Sequence, residues 1–174
     1  MFKKNIPNIL SFFRILLIPF IIFFIFNSDS KSSIWAFLLF TIAAFTDYLD
    51  GFIARSTDSV TEFGKMLDPS ADRLLIISSL IGLLMIRRIS LIGTIIVVAR
   101  DIFTAIGYLI LMKRDKYLAV SILGKISTLI LMISIAALLL KLPPYDIYIF
   151  LIACCISIIS GIDYLIKFNK LIKN

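Results

Sequence analysis

The chain has 174 residues, 60% of them hydrophobic and only 17% charged, and its mean hydropathy is +1.04; a soluble domain carries roughly a quarter charged residues, so a soluble fold is excluded and an all-α integral membrane protein is expected. Lys and Arg number 18 against 11 Asp and Glu, a net charge of +7, but the basic residues are dispersed over several loops without interleaved aromatics, which suits an anionic lipid surface and excludes a nucleic-acid partner. Histidine is absent, which excludes phosphohistidine intermediates, Ser-His-Asp triads and His-ligated zinc.

The first apolar run, Ile9 to Phe26, follows Lys3 and Lys4. No small-residue cleavage pattern comes after Phe26, so a retained helix is expected and not a signal peptide. A linker over Asn27 to Ser33, with SDSKSS as a flexible turn, leads to the second run, Ile34 to Phe45, and the third follows at Leu74 to Ile86. Both are short for a span of about 20 residues, which makes sense if their helices continue into the polar stretch between them and keep that end in water or protein, broken only by a linker at Ser56 to Glu62. Arg87 to Ser90 then links to a run at Leu91 to Met112, Lys113 to Tyr117 to one at Leu118 to Leu140, and Lys141 to Tyr145, with Pro143 and Pro144 as helix breakers, to the last, Tyr145 to Ile166. Cys154 and Cys155 are adjacent in that run, so they point to different sides of one helix and form no disulfide.

Six transmembrane helices in a single membrane domain, residues 1–174, are the expectation. Six spans put both termini on one side. Lys3, Lys4, Arg55, Lys65, Arg73, Lys113, Arg114, Lys116, Lys125, Lys167, Lys170 and Lys173 collect on that side, against Lys31, Arg87, Arg88 and Lys141 opposite. Twelve against four makes the side of the termini cytosolic.

Asp47, Asp50, Asp68 and Asp72 fall within 26 positions. Carboxylates beside long apolar runs are costly to desolvate and persist when they pair, line a wet cavity or hold a cation. If the second helix continues through Asp47, then Asp47, Asp50, Gly51 and Ala54 stand at i, i+3, i+4 and i+7, one helical face; Gly64, Asp68 and Asp72, spaced by four, form a second stripe at the start of the third. Four facing carboxylates repel unless a cation neutralises them, and hard oxygen ligands suit Mg²⁺ or Mn²⁺. Such a site leaves positions for phosphate oxygens, while Gly51, Ala54 and Gly64 let a bulky group approach the backbone, so two metals and a diphosphate point to phosphoryl-group transfer. A cation transporter is the competing class. It would place acidic residues near the bilayer midplane on several helices with breaks in the spans, whereas Asp101 and Asp163 are few and dispersed.

The run Asp47-x2-Asp50-Gly51-x2-Ala54-Arg55-x8-Gly64-x3-Asp68-x3-Asp72 resembles, without a departure, the signature of the CDP-alcohol phosphatidyltransferases. The resemblance implies six transmembrane helices with the active site at the cytosolic ends of the second and third. It also implies a reaction in which an acceptor hydroxyl attacks the β-phosphate of a CDP-linked lipid and releases CMP. Carried over, it implies Asp47, Asp50 and Asp68 as metal ligands, Asp72 as second-metal ligand and general base, Gly51, Ala54 and Gly64 beside the cytidine nucleotide, and Arg55 near its phosphates. It further implies a homodimer in the bacterial cytoplasmic membrane, although no Gly-x3-Gly run marks a dimer face. Asp72 lies one turn further into the membrane than Asp68, where shielding from water suits a base.

Asn5-x-Pro7-Asn8-x-Leu10-Ser11-x2-Arg14-x4-Pro19 and Gly64 to Asp72 are similar to the bacterial members that make phosphatidylglycerophosphate from CDP-diacylglycerol and glycerol 3-phosphate. The same features occur in the related cardiolipin synthases, whose acceptor is phosphatidylglycerol. Where many of the former carry Arg-Glu and then Gly-Leu-Arg in the fourth helix, this chain has Arg100-Asp101 and then Gly107-Tyr108-Leu109, a departure toward the cardiolipin alternative. A phosphorylated acceptor needs cations. Arg14, Arg100 and Lys125 are the candidates, Lys125 lying in a Gly-Lys-x-x-Thr run similar to one in the family; Arg100 either binds that ligand or pairs with Asp101 or the cluster, and Lys113, Arg114 and Lys116 read as topology signals.

Overall fold

A computed structural model describes residues 6–27, 29–57, 62–112 and 121–173, and side chains over 12–27, 29–46, 73–108, 110–111 and 121–171. Among the described residues all regular structure is helical: α1 Ile6–Asn27, α2 Ser30–Thr57, α3 Glu62–Met85, α4 Leu91–Met112, α5 Ile122–Leu140 and α6 Tyr145–Lys173. Stretches in α4 (Leu91–Tyr108), α5 (Ile122–Leu140) and α6 (Tyr145–Leu171) are long and apolar enough to cross a membrane. The described apolar parts of the other three are shorter, Phe12–Asn27, Ser30–Thr46 and Arg73–Met85. Helices satisfy their own backbone groups in lipid, and the described residues are those of an all-helical membrane protein.

Two expected boundaries move. The polar SDSKSS segment is not a turn throughout: Ser33 N–H donates to the Asp29 carbonyl at 3.0 Å, so Asp29 caps α2 and Ser30 to Ser33 form its first turn. The Ser32 hydroxyl donates to the Asp29 carboxylate and, with Lys141 and Lys31 nearby, holds its pKa below the usual carboxylate value. Whatever this cap adds to α2 is therefore present at neutral pH and lost as the pH falls through that depressed value. In α5, helix begins at Ile122 and not at Leu118, because Ser121 stands outside it; Lys113 to Tyr117 lies outside the described residues, as does the middle of the Ser56 to Glu62 linker.

The chain divides into two compact units, residues 1–88 with 138–141, and 89–137 with 142–174. In the first, α1 packs along both α2 and α3. Arg14, Leu17, Ile21 and Ile25 share the buried face of α1, meeting Ala36, Phe40 and Ala43 of α2 and Leu75, Ile76, Leu80 and Leu83 of α3 at helical spacing. Phe24 stacks on Trp35 with ring centroids 6.4 Å apart, and Ile25 lies where a methyl on Gly82 would meet it at 3.3 Å. The end of α1 thus meets the start of α2 and the end of α3, so α1 and α3 run parallel with α2 antiparallel. Arg87 closes α3 at φ 56°, with Arg88 N–H donating to Leu83 O and Arg87 N–H to Leu84 O, both at 2.9 Å. This is the left-handed helix stop usually given to glycine, at a cost of about 1 kcal/mol for a side chain.

In the second unit, α4 packs against α6. Gly93 abuts Phe150, Cys154 donates its thiol hydrogen to Gly93 O at 3.7 Å, and Gly107 abuts Tyr164, whose hydroxyl donates to Thr104 O at 3.1 Å. Early meets early and late meets late, so α4 and α6 are parallel. Ser127 bonds Ser157 at 3.1 Å and Ser121 bonds Asp163 at 2.6 Å, so α5 runs antiparallel to both. Small residues on the facing sides allow this close approach, which membrane helices need because burial against lipid-like side chains drives little association. Cys155 is exposed while Cys154 is buried, so the two adjacent residues point to different sides of α6.

Candidate active site

The condition for the acidic stripes is met by the backbone. Helix α2 does not stop at Phe45 but continues through Asp47, Asp50, Gly51, Ala54 and Arg55 to Thr57, and α3 starts at Glu62, ahead of Gly64, Asp68 and Asp72. The i, i+3, i+4, i+7 and i, i+4, i+8 patterns therefore fall on continuous helix, one face each. The side chains of Asp47, Asp50, Gly51, Ala54, Arg55, Gly64, Asp68 and Asp72 lie outside the described residues, and the described ones include no cluster of three metal-ligating groups. By chemistry alone, aspartates offer the hard oxygen donors that a divalent cation takes.

Arg14 belongs to the same level. Rising about 1.5 Å per residue, α1 places Arg14 about 16 Å before Ile25, and parallel α3 places Asp72 about 15 Å before Gly82. Antiparallel α2, counted from Trp35 opposite Phe24, reaches the same level close to Asp47. Arg14 is 0% exposed on the face of α1 turned to α2 and α3. A fully buried guanidinium persists only beside anionic or hydrogen-bonding groups, and the α2 and α3 positions level with it carry the aspartates.

The other two predicted cations sit together in the second unit. Arg100 of α4 donates from Nη1 to Asp101 Oδ1 at 2.7 Å and from Nη2 to Ser160 Oγ of α6 at 2.8 Å and Gly124 O of α5 at 3.4 Å. Arg100 thus does pair with its neighbour, Asp101, as one of the two readings of the sequence had it. Its side chain keeps 13% exposure and its buried Nε has no partner. Since Gly124 immediately precedes Lys125, the guanidinium rests on the peptide that carries Lys125, and the Lys125 side chain is exposed. Lys113, Arg114 and Lys116 lie outside the described residues.

One group of polar residues escaped the sequence reading. Lys167 Nζ donates to Asp163 Oδ2 at 2.7 Å and to Ser121 Oγ at 3.1 Å, and Ser121 Oγ donates to the same Oδ2 at 2.6 Å. The available signal was an Asp and a Lys four apart in an otherwise apolar helix; Ser121, 42 residues away, gave none.

Residues 4–159 match the family model of the CDP-alcohol phosphatidyltransferases. The chain is similar to the CDP-diacylglycerol--glycerol-3-phosphate 3-phosphatidyltransferase of Rickettsia felis, 37% identical over 172 residues that cover 92% of this chain and 93% of that protein. It is similar as well to the protein of the same name from Aquifex aeolicus, 32% identical over 178 residues, 97% of this chain and 98% of that one. A cardiolipin synthase (CMP-forming) of Streptomyces coelicolor is 36% identical over 142 residues, 79% of this chain but 66% of that protein.

Proposed function

The chain belongs to the CDP-alcohol phosphatidyltransferase family, and we propose that it transfers the phosphatidyl group of CDP-diacylglycerol to glycerol 3-phosphate, giving phosphatidylglycerophosphate and CMP. The observation that carries this reading is the end-to-end match to relatives bearing that name, together with the unbroken eight-residue signature on the helical backbone of α2 and α3. Relatedness along the whole length also favours glycerol 3-phosphate over phosphatidylglycerol as acceptor, because the cardiolipin synthase is matched over only two thirds of its length. The departure at Asp101 and at Tyr108-Leu109 does not outweigh it.

Enzymes of this family depend on divalent metal, and here Asp47, Asp50, Asp68 and Asp72 would hold two Mg²⁺ or Mn²⁺ ions. Bound there, the ions supply charge neutralisation at the diphosphate. Asp72 takes the proton from the acceptor hydroxyl as its oxygen bonds to the β-phosphorus, and the bond to the CMP oxygen breaks, so that CMP leaves with the electron pair. Gly51, Ala54 and Gly64 leave room for the nucleotide against the helix backbones, and Arg55 steadies its phosphates. Arg14, Arg100 and Lys125 attract and orient the acceptor phosphate.

In the membrane we place six spans in a single domain, residues 1–174, with both termini and the aspartates on the cytosolic side, following the twelve-to-four distribution of Lys and Arg. The location is the bacterial cytoplasmic membrane, and the assembly a homodimer. Purified protein given CDP-diacylglycerol, glycerol 3-phosphate and Mg²⁺ or Mn²⁺ is expected to release CMP. A chelator should reduce this to background and added metal should restore it; release that survives chelation would contradict the metal assignment.

A further inference from the structure

The start of α5 is held from two sides, by Arg100 of α4 on one and, on the other, by α6 residues that the proposed chemistry does not use. Ser121 stands at the N-cap position, with Lys125 N–H donating to its carbonyl at 3.1 Å. A serine there ordinarily turns its hydroxyl onto the N–H groups of its own helix. Here the hydroxyl instead donates to Asp163 at 2.6 Å and accepts from Lys167 at 3.1 Å, both on α6. Asp163 and Lys167 are themselves paired at 2.7 Å, one turn apart, with 23% and 43% side-chain exposure. One turn further along α5, Gly124 O receives Arg100 Nη2 of α4, and Thr128 donates its hydroxyl to the same carbonyl at 2.7 Å. Lys125 comes next after Gly124, with its own N–H on the Ser121 carbonyl, so both fixings bear on its Cα.

A partly exposed ion pair of this kind, screened by solvent, contributes only weakly to stability, so stability gives little reason for a helix to surrender its own cap to it. The arrangement makes sense if what matters is the direction of the first turn of α5. A long Lys side chain is a point charge on a flexible stem, and where its ammonium reaches is set by where its Cα is held. The same turn touches the Arg100 guanidinium, so the clasp fixes the spacing of two cations at once.

We infer that Ser121, Asp163 and Lys167 are positioning residues that set Lys125, and through Gly124 O the Arg100 guanidinium, for the phosphate of the acceptor. The inference rests on the acceptor site proposed above. Acceptor and donor are read separately in the test: KM for the acceptor that the wild type turns over, and KM for CDP-diacylglycerol, measured on Ser121→Ala, Asp163→Asn, Lys125→Met and the Ser121→Ala/Lys125→Met pair. Ser121→Ala and Asp163→Asn are expected to raise the acceptor KM about tenfold with the CDP-diacylglycerol KM unchanged within about twofold. Ser121→Thr, which keeps the hydroxyl, should restore the wild-type value. In the pair, removal of the hydroxyl should add clearly less to the effect of Lys125→Met than the roughly tenfold it costs alone, since only the part that runs through Arg100 remains. Lys167→Met, on the most exposed member, carries the same expectation should Ser121→Ala not be recovered folded. Equal changes in both KM values, or effects of Ser121→Ala and Lys125→Met that multiply, would overturn the inference. A wild type that transfers nothing to glycerol 3-phosphate would instead overturn the proposed acceptor, and the clasp is then judged with the acceptor it does use.

Discussion

Asp72→Asn is expected to lower turnover by about a thousandfold or more while CDP-diacylglycerol is still bound. The exchange keeps shape and removes only the charge and the capacity to take a proton. General-base catalysis alone is worth about 10²- to 10⁴-fold, and loss of a carboxylate from a metal site adds to that. Asp72 is separated from its neighbours by place: on α3, helical from Glu62, it lies one turn further along than Asp68 and two beyond Gly64, at the level of the fully buried Arg14. Asp47→Asn, Asp50→Asn and Asp68→Asn should by contrast weaken nucleotide binding, since those three are proposed only to hold the metal, whereas Asp72 is also the proposed base. Turnover and the retention of CDP-diacylglycerol on purified protein distinguish the two patterns. An Asp72→Asn variant with near-normal turnover would move the base elsewhere.

Arg100→Met should destabilise the protein by about 3–5 kcal/mol, because Asp101, whose side chain is only 8% exposed, is left as a buried carboxylate without its partner. In a chain of this length that corresponds to a fall in Tm of roughly 10 °C. Replacing the pair by Arg100→Met/Asp101→Leu removes the stranded charge as well, and most of the stability should return. Acceptor affinity should not return with it, because Arg100 is one of the cations proposed for the phosphate. Thermal unfolding in detergent, run beside the acceptor KM, separates the structural from the binding role of one guanidinium. Ser160→Ala, which removes one hydrogen bond to Arg100 Nη2, should cost only about 1 kcal/mol.

The six elements were legible in the sequence because lipid leaves the backbone little choice. Leu91–Met112 matches its apolar run end to end, and α2 passes the end of its run at Phe45 into the acidic signature, as the spacing of Asp47, Asp50 and Ala54 required. The boundaries that moved are polar. Ser30 to Ser33 look like a loop by composition, yet Asp29 turns them into a first helical turn by accepting Ser33 N–H, a local hydrogen bond that hydropathy does not register. The aspartate stripes were legible since both partners of each stripe are near in sequence.

Contacts over long sequence distances were not. Arg100 admitted two readings until Ser160, 60 residues on, and Gly124 were found against it. Asp163 looked isolated until Ser121 came up to it from the start of α5. Gly107 is the residue of the Gly-Leu-Arg run that this chain keeps, and its place against Tyr164 shows a packing reason for a residue without a side chain.

The central claim is the transfer of a phosphatidyl group to glycerol 3-phosphate. Purified protein supplied with CDP-diacylglycerol, Mg²⁺ and equal amounts of glycerol 3-phosphate and phosphatidylglycerol, with the lipids resolved by mass, tests it most directly. Phosphatidylglycerophosphate should accumulate in step with CMP. Cardiolipin in its place, or no CMP with either acceptor, would contradict the account.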